Sequence, residues 1–177
     1  MDISSLLDLY GHMAWADARV WAAVLDCERA REDAKLRETL HHLHVAQRIF
    51  LRAWRNEPID APHPRFERTP ALCAWAGAYY GEAKAHLETL TDADLRGARP
   101  DAWAQRLERV LGGDGAAVTL GDTVAQVALH SQYHRGQVNA RLRELGGTPP
   151  LVDYIAWVWF GRPDAAWPTV DELDTPQ

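Results

Sequence analysis

Eight histidines are spread over the 177 residues of the chain, and two of them, His130 and His134, stand four apart. On a helix this spacing sets both imidazoles on one face about one turn apart, as two-point metal binding requires. Chance alone gives such a pair in about a third of chains with this histidine content, so the spacing needs support from its surroundings. At about 100° per residue, Val124, Val127, Ser131, Val138, Leu142 and Leu145 centre a buried stripe, and Gln126, His130, His134, Gln137 and Arg141 form a polar row on its shoulder. Candidates for a third ligand lie upstream, at His41, His42 and His44. His41 shares a face with Arg48 and Arg52 and reads as solvated. His42 and His44 fall on opposite shoulders of an apolar stripe, and periodicity does not choose between them. His12, His63 and His86 have no partner at ligand spacing and read as surface or ordinary interior residues. Cys27 and Cys73 form no CxxC pair and read as two free buried thiols.

The elements that must position these residues are helical. From Ser5 to about Cys27, Leu6, Leu9, Met13, Val20 and Val24 recur at helical steps, and Glu28 to Asp33 then turns the chain. Leu36, Leu40, Leu43, Phe50 and Trp54 trace a second helix that ends before Pro58. After an extended connection, Thr69 and Pro70 read as an N-cap with proline at the first helical position of a third helix, which runs to about Leu90. Gly112, Gly113, Asp114 and Gly115 are turn residues between Leu107–Leu111 and Ala116–Leu120, which predicts a small hairpin. Thr119 and Asp122 form a capping-box pair that opens a fourth helix, stopped by Gly146, Gly147, Pro149 and Pro150. Asp153 to Phe160 predicts a short C-terminal helix. The fold expected is all-α, a four-helix bundle with a hairpin insertion between helices three and four, in a single domain over residues 1–177.

Composition narrows the partners. The chain carries 19 Lys plus Arg against 25 Asp plus Glu, a formal net charge of −6, with 47% hydrophobic residues. That is the make-up of a globular protein with a sizeable core. An acidic chain without a Lys/Arg cluster argues against nucleic acid and against anionic lipid surfaces, leaving a small-molecule substrate as the expected partner. No stretch free of charged residues approaches the roughly 18 residues of a membrane span. The first residues lack the basic and cleavage regions of a secretory signal, so a cytoplasmic location is expected.

The run His130-Ser-Gln-Tyr-His134-Arg135-Gly136-Gln137, continued by Leu142, Gly146, Gly147, Pro149, Pro150 and Asp153, resembles the signature of the DinB-like family of metalloenzymes. Thr39-Leu-His-His42-Leu with Arg48-Ile-Phe-Leu, and Tyr10 with Trp15-Ala-Asp-Ala-Arg19, extend the resemblance over nearly the whole chain. It implies a four-helix bundle, usually dimeric, here a homodimer, in which one histidine of the second helix and both of the HxxxHRGQ run bind a divalent metal. By position those are His42, His130 and His134. The sequence departs from the family pattern where Gln47 replaces a frequent acidic residue, Phe50 a frequent tryptophan, and Gln126 a frequent histidine. Arg135 and Gln137 become candidates for holding the site or the substrate, and Gly136, which costs about 1 kcal/mol relative to Ala in a helix, suggests a close approach there. Trp15, Trp54, Tyr79 and Tyr133 are candidate pocket residues.

Three neutral imidazoles leave the charge of a divalent ion uncompensated and at least one coordination position open, which favours a catalytic site. Such an ion, with zinc or nickel foremost, lowers the pKa of a bound water or binds a thiol as thiolate. Because the resemblance extends to transferases that use low-molecular-weight thiols, the leading expectation is a thiol S-transferase with such a thiol as cosubstrate. The alternatives are a metal-dependent hydrolase, for which no acidic residue stands at helical spacing from His130 or His134 on their own face, and a non-catalytic, stress-induced metal-binding protein.

Overall fold

The computed structural model of the chain describes residues 2–98, 112 and 115–169, and over these the regular elements are seven helices. They are α1 (Ile3–Asp26), α2 (Glu28–Glu32), α3 (Ala34–Trp54), α4 (Thr69–Leu87), α5 (Asp92–Leu95), α6 (Leu120–Glu144) and α7 (Tyr154–Trp159). The four long helices form the bundle. α1 packs on α6 and α4, and α3 packs on the same two, so that α1 with α4 and α3 with α6 make opposite faces.

Helix starts follow from side-chain capping of otherwise orphaned N–H groups. Asp2 accepts from the Ser5 N–H at 2.8 Å, Asp33 from Leu36 at 2.7 Å, and Thr119 pairs with Asp122 in the expected capping box. Helix α6 is closed off just beyond Glu144 by Gly146, whose φ of 88° lets its N–H and that of Gly147 reach back to Arg143 and Leu142. Asp33 has a second role. Its carboxylate takes two hydrogen bonds from Arg141, at 2.6 and 3.2 Å, which ties the start of α3 to the end of α6.

Several expectations change. Glu28 to Glu32 is a five-residue helix instead of a turn, because Ala30 is fully buried and the charged neighbours face out. Arg68 holds the N-cap position of α4, since the Thr69 hydroxyl donates to the Arg31 carbonyl and serves the α2–α4 contact. The short α5, with a capping box between Thr91 and Asp94, was not expected. Of the hairpin, Leu107–Leu111 lies outside the described residues, and Ala116–Leu120 is not a strand: 116–118 have no regular structure, Thr119 makes an isolated antiparallel bridge to Ala98, and Leu120 already belongs to α6.

The core divides along the bundle axis into two apolar clusters. One gathers Trp21, Val24, Leu36, Leu40, Leu72 and Leu142, the other Leu6, Tyr10, Leu51, Tyr79, Leu87 and Val124. Each buried aliphatic side chain contributes about 1.5–3 kcal/mol. Between the clusters lies a polar layer contributed by all four long helices: Asp17, His44, Gln47, Tyr80, Ser131 and Arg135.

Candidate metal centre

His42 on α3 and His130 and His134 on α6 converge at the level of that polar layer, on the outer α3–α6 face. Each offers one ring nitrogen, and the three nitrogens all lie within 4.8 Å of one another. Ring centroids are 4.7 Å apart for His42 and His134, 5.8 Å for His42 and His130, and 4.4 Å for His130 and His134. A tetrahedral ion with nitrogens at about 2.0–2.1 Å sets its donors about 3.4 Å apart, which small side-chain rotations reach from this arrangement.

The local chemistry also fits a cation that needs unprotonated imidazoles. Burial, and then the neighbouring histidines, hold the pKa values of His42 and His130 below their ordinary value. The Nδ1 of His134 lies 2.8 Å from Oε1 of Gln137. An amide oxygen only accepts, so Nδ1 carries the proton and Nε2 keeps its lone pair for a ligand. Nε2 of His130 is buried and makes no hydrogen bond to protein. A buried nitrogen without a partner costs about 1–3 kcal/mol, and coordination would satisfy it. Among the described residues, no carboxylate or thiolate joins the cluster.

The other upstream histidines point elsewhere. His44 is fully buried, accepting at Nε2 from the Trp21 indole at 2.9 Å, with Nδ1 2.8 Å from Gln47 Oε1. Burial pushes its pKa down to about 4. His41 is not simply solvated, because its Nε2 meets the Pro64 carbonyl at 2.8 Å and its ring stacks on Trp75.

Arg135 and Gln137 have different settings. Gln137 is a neighbour of the cluster through His134. Arg135 is 2% exposed and turned inward, donating to Asp17 at 2.6 Å, to the Met13 carbonyl and to Gln132. Gly136 does not mark a close approach, since a Cβ there meets nothing within 4 Å. Gln126 is exposed, and Gln47 sits in the inner layer, its Nε2 within 3.1–3.3 Å of Asp17, Tyr80 and Ser131. Tyr133 flanks His134, ring centroids 5.1 Å apart, and is 64% exposed, whereas Trp15, Trp54 and Tyr79 are core residues. Cys73 is buried with its thiol pKa pushed up to about 12, and Cys27 is free beside the Leu145 carbonyl.

Sequence reasoning missed Asp17, the acceptor at the centre of the inner layer. Its signal was an acid in phase with Met13, Val20 and Val24, on the buried stripe of α1. A cavity of about 540 Å³ opens between α1, α4 and the segment 157–167, on the face opposite the histidines, and none of the three lines it. The DinB family model matches residues 4–164. No curated protein and no solved structure gives a match.

Proposed function

The chain belongs to the DinB family, and from that premise we propose that it is a divalent-metal-dependent enzyme that transfers a low-molecular-weight thiol to a small electrophile. The observation that carries this reading is the convergence of His42, His130 and His134, with one buried ring nitrogen lacking any protein partner. Zinc and nickel both suit such a set of imidazoles. When bound, the ion supplies Lewis acidity that favours ionisation of a thiol or water at neutral pH.

The protein side of the mechanism is positioning. Gln137 fixes the tautomer and ring plane of His134. Burial keeps His42 and His130 unprotonated near neutral pH, so a cation does not compete with protons there. The exposed side of His42 leaves a route for a small thiol from solvent, and the exposed Tyr133 ring offers an apolar surface for the organic part of a substrate. The thiol comes from solution, because neither Cys27 nor Cys73 joins the cluster and Cys73 is buried and held as a thiol. No carboxylate joins the cluster among the described residues, and none stands three or four residues from His130 or His134 on α6, which leaves hydrolysis the weaker reading.

Elemental analysis followed by cobalt(II) substitution tests the proposal. Adding a small thiol should produce a sulfur-to-metal charge-transfer band with release of a proton. The band should persist in a Cys27→Ala, Cys73→Ala double variant and vanish in His134→Ala. A tightly loaded site that gives no band with any thiol tried would sink the transferase reading and leave hydrolysis or a non-catalytic role.

A further inference from the structure

The α3–α4 face carries a second group of polar side chains, unrelated to the histidine cluster. Arg48, Arg52 and Arg55 stand at steps of four and three on α3, so one face presents three guanidinium groups. Arg48 donates to Glu82 at 3.0 Å and to the Trp75 carbonyl at 2.8 Å, with its plane over the Trp75 ring. Arg52 donates to the Ala61 carbonyl at 3.0 Å, which holds the segment between α3 and α4, and Arg55 donates to the Glu82 carbonyl at 2.8 Å. These side chains border a cavity of about 200 Å³, closed on its loop side by His63 and Pro64.

Two features distinguish this cavity from ordinary surface pairing. Three guanidinium groups face only two carboxylates, Glu57 and Glu82, a local surplus of positive charge in a chain of net charge −6. Three buried nitrogens, Arg48 Nε and both ring nitrogens of His63, make no hydrogen bond to protein. The Glu82 carboxylate is already engaged by Arg48 and Arg55. Arg48 Nε, the remaining N–H groups of Arg52 and the His63 ring form a separate donor set from two elements.

We propose that this cavity binds a small tetrahedral oxyanion of the phosphate type, free or as the terminal group of a phosphate monoester. Its volume of about 200 Å³ leaves room for one phosphate and a few waters. It falls below the roughly 300–1,000 Å³ of pockets that enclose larger organic ligands. Donors arriving from α3 and from the loop suit oxygens that point in several directions. The charge environment agrees: burial, then Arg52, His41 and Arg48, hold the His63 pKa below its ordinary value, and a bound anion would reverse that. Arg55 adds to the positive side and Glu57 and Glu82 oppose it.

The test is titration of the full-length protein with inorganic phosphate against sodium chloride at matched ionic strength. Calorimetry should give saturable binding, and the His63 ring, followed by NMR, should titrate at higher pH when phosphate is saturating. Arg52→Gln and His63→Ala should each weaken binding by about tenfold or more. His63→Ala removes no loop clamp, so it decides the matter if Arg52→Gln fails to fold. A metal-free His134→Ala protein should bind phosphate as tightly as the parent, which separates this cavity from the histidine cluster. Phosphate acting no differently from chloride, an unmoved His63 titration, or unchanged affinity in His63→Ala would overturn the proposal.

Discussion

His42 and His44 are two residues apart on α3, and they belong to regions built on opposite terms. His44 joins a closed set in which the Trp21 indole, Gln47, Asp17, Tyr80, Ser131 and Arg135 satisfy one another across all four long helices. His42 meets His130 and His134 in a set that leaves a buried nitrogen unbonded and one flank open. Both sets sit at the same level of the bundle. Internal completeness marks the first as structure, because a satisfied buried network holds one packing and has nothing left to offer a ligand. Incompleteness marks the second as a site.

Ion content gives the sharpest test of this division. His134→Ala and His42→Ala should each lose the ion completely by elemental analysis, whereas His44→Ala should keep it, at a cost in stability. An ion-free His44 variant beside a fully loaded His42 variant would reverse the two regions. Next in size is stability. Removing one partner of a buried ion pair costs about 3–5 kcal/mol, so Arg135→Met should lower the unfolding free energy of the chelated protein by that much in urea, with Asp17→Asn as a milder version. His134→Ala should change it by only about 0.5 kcal/mol. Equal losses in the two would erase the distinction.

Acid gives a smaller, graded effect. The ordinary pKa of His44, 6.5, falls to about 4 in the folded protein, so the unfolded chain takes up its proton first as pH falls. The contribution is fully present above pH 6.5 and is lost as pH falls toward about 4, an order of 3 kcal/mol over that window. Denaturant curves on chelated protein should show this slope, and His44→Leu should flatten it. The smallest effect belongs to Gln137→Ala. Losing the group that orients His134 should weaken ion affinity about 10- to 100-fold without emptying the site at saturating metal, as competition with a chelator would read.

Much of this arrangement was readable from residue order. The apolar stripes gave the four long helices, the Thr119 and Asp122 pair gave the start of α6, and the glycines after Leu145 gave its end. The choice between His42 and His44 was not open to periodicity, because both flank the same stripe; the decision rests on what α1 and α6 present to each flank. Trp21 meets one and the paired histidines meet the other. His41 reads as solvated from residue order because its partners, Pro64 and Trp75, are remote in sequence. The inner network was hidden for the same reason: Asp17 acquires its meaning only when α4 and α6 bring Tyr80 and Arg135 to it.

The contacts between Asp33 and Arg141, and between Gln47 and Ser131, join the two helices that carry the histidines, one at the end of α6 and the other at the level of the histidines themselves. They act as register marks. A slip of α3 along α6 by a single turn, about 5.4 Å, would break both at once, so the helices are indexed before any ion arrives. An incoming ion then has only imidazole rings to turn and no backbone to drag. Exchanging one ion for another of different radius should therefore leave the bundle's spacing where a guanidinium and an amide have set it.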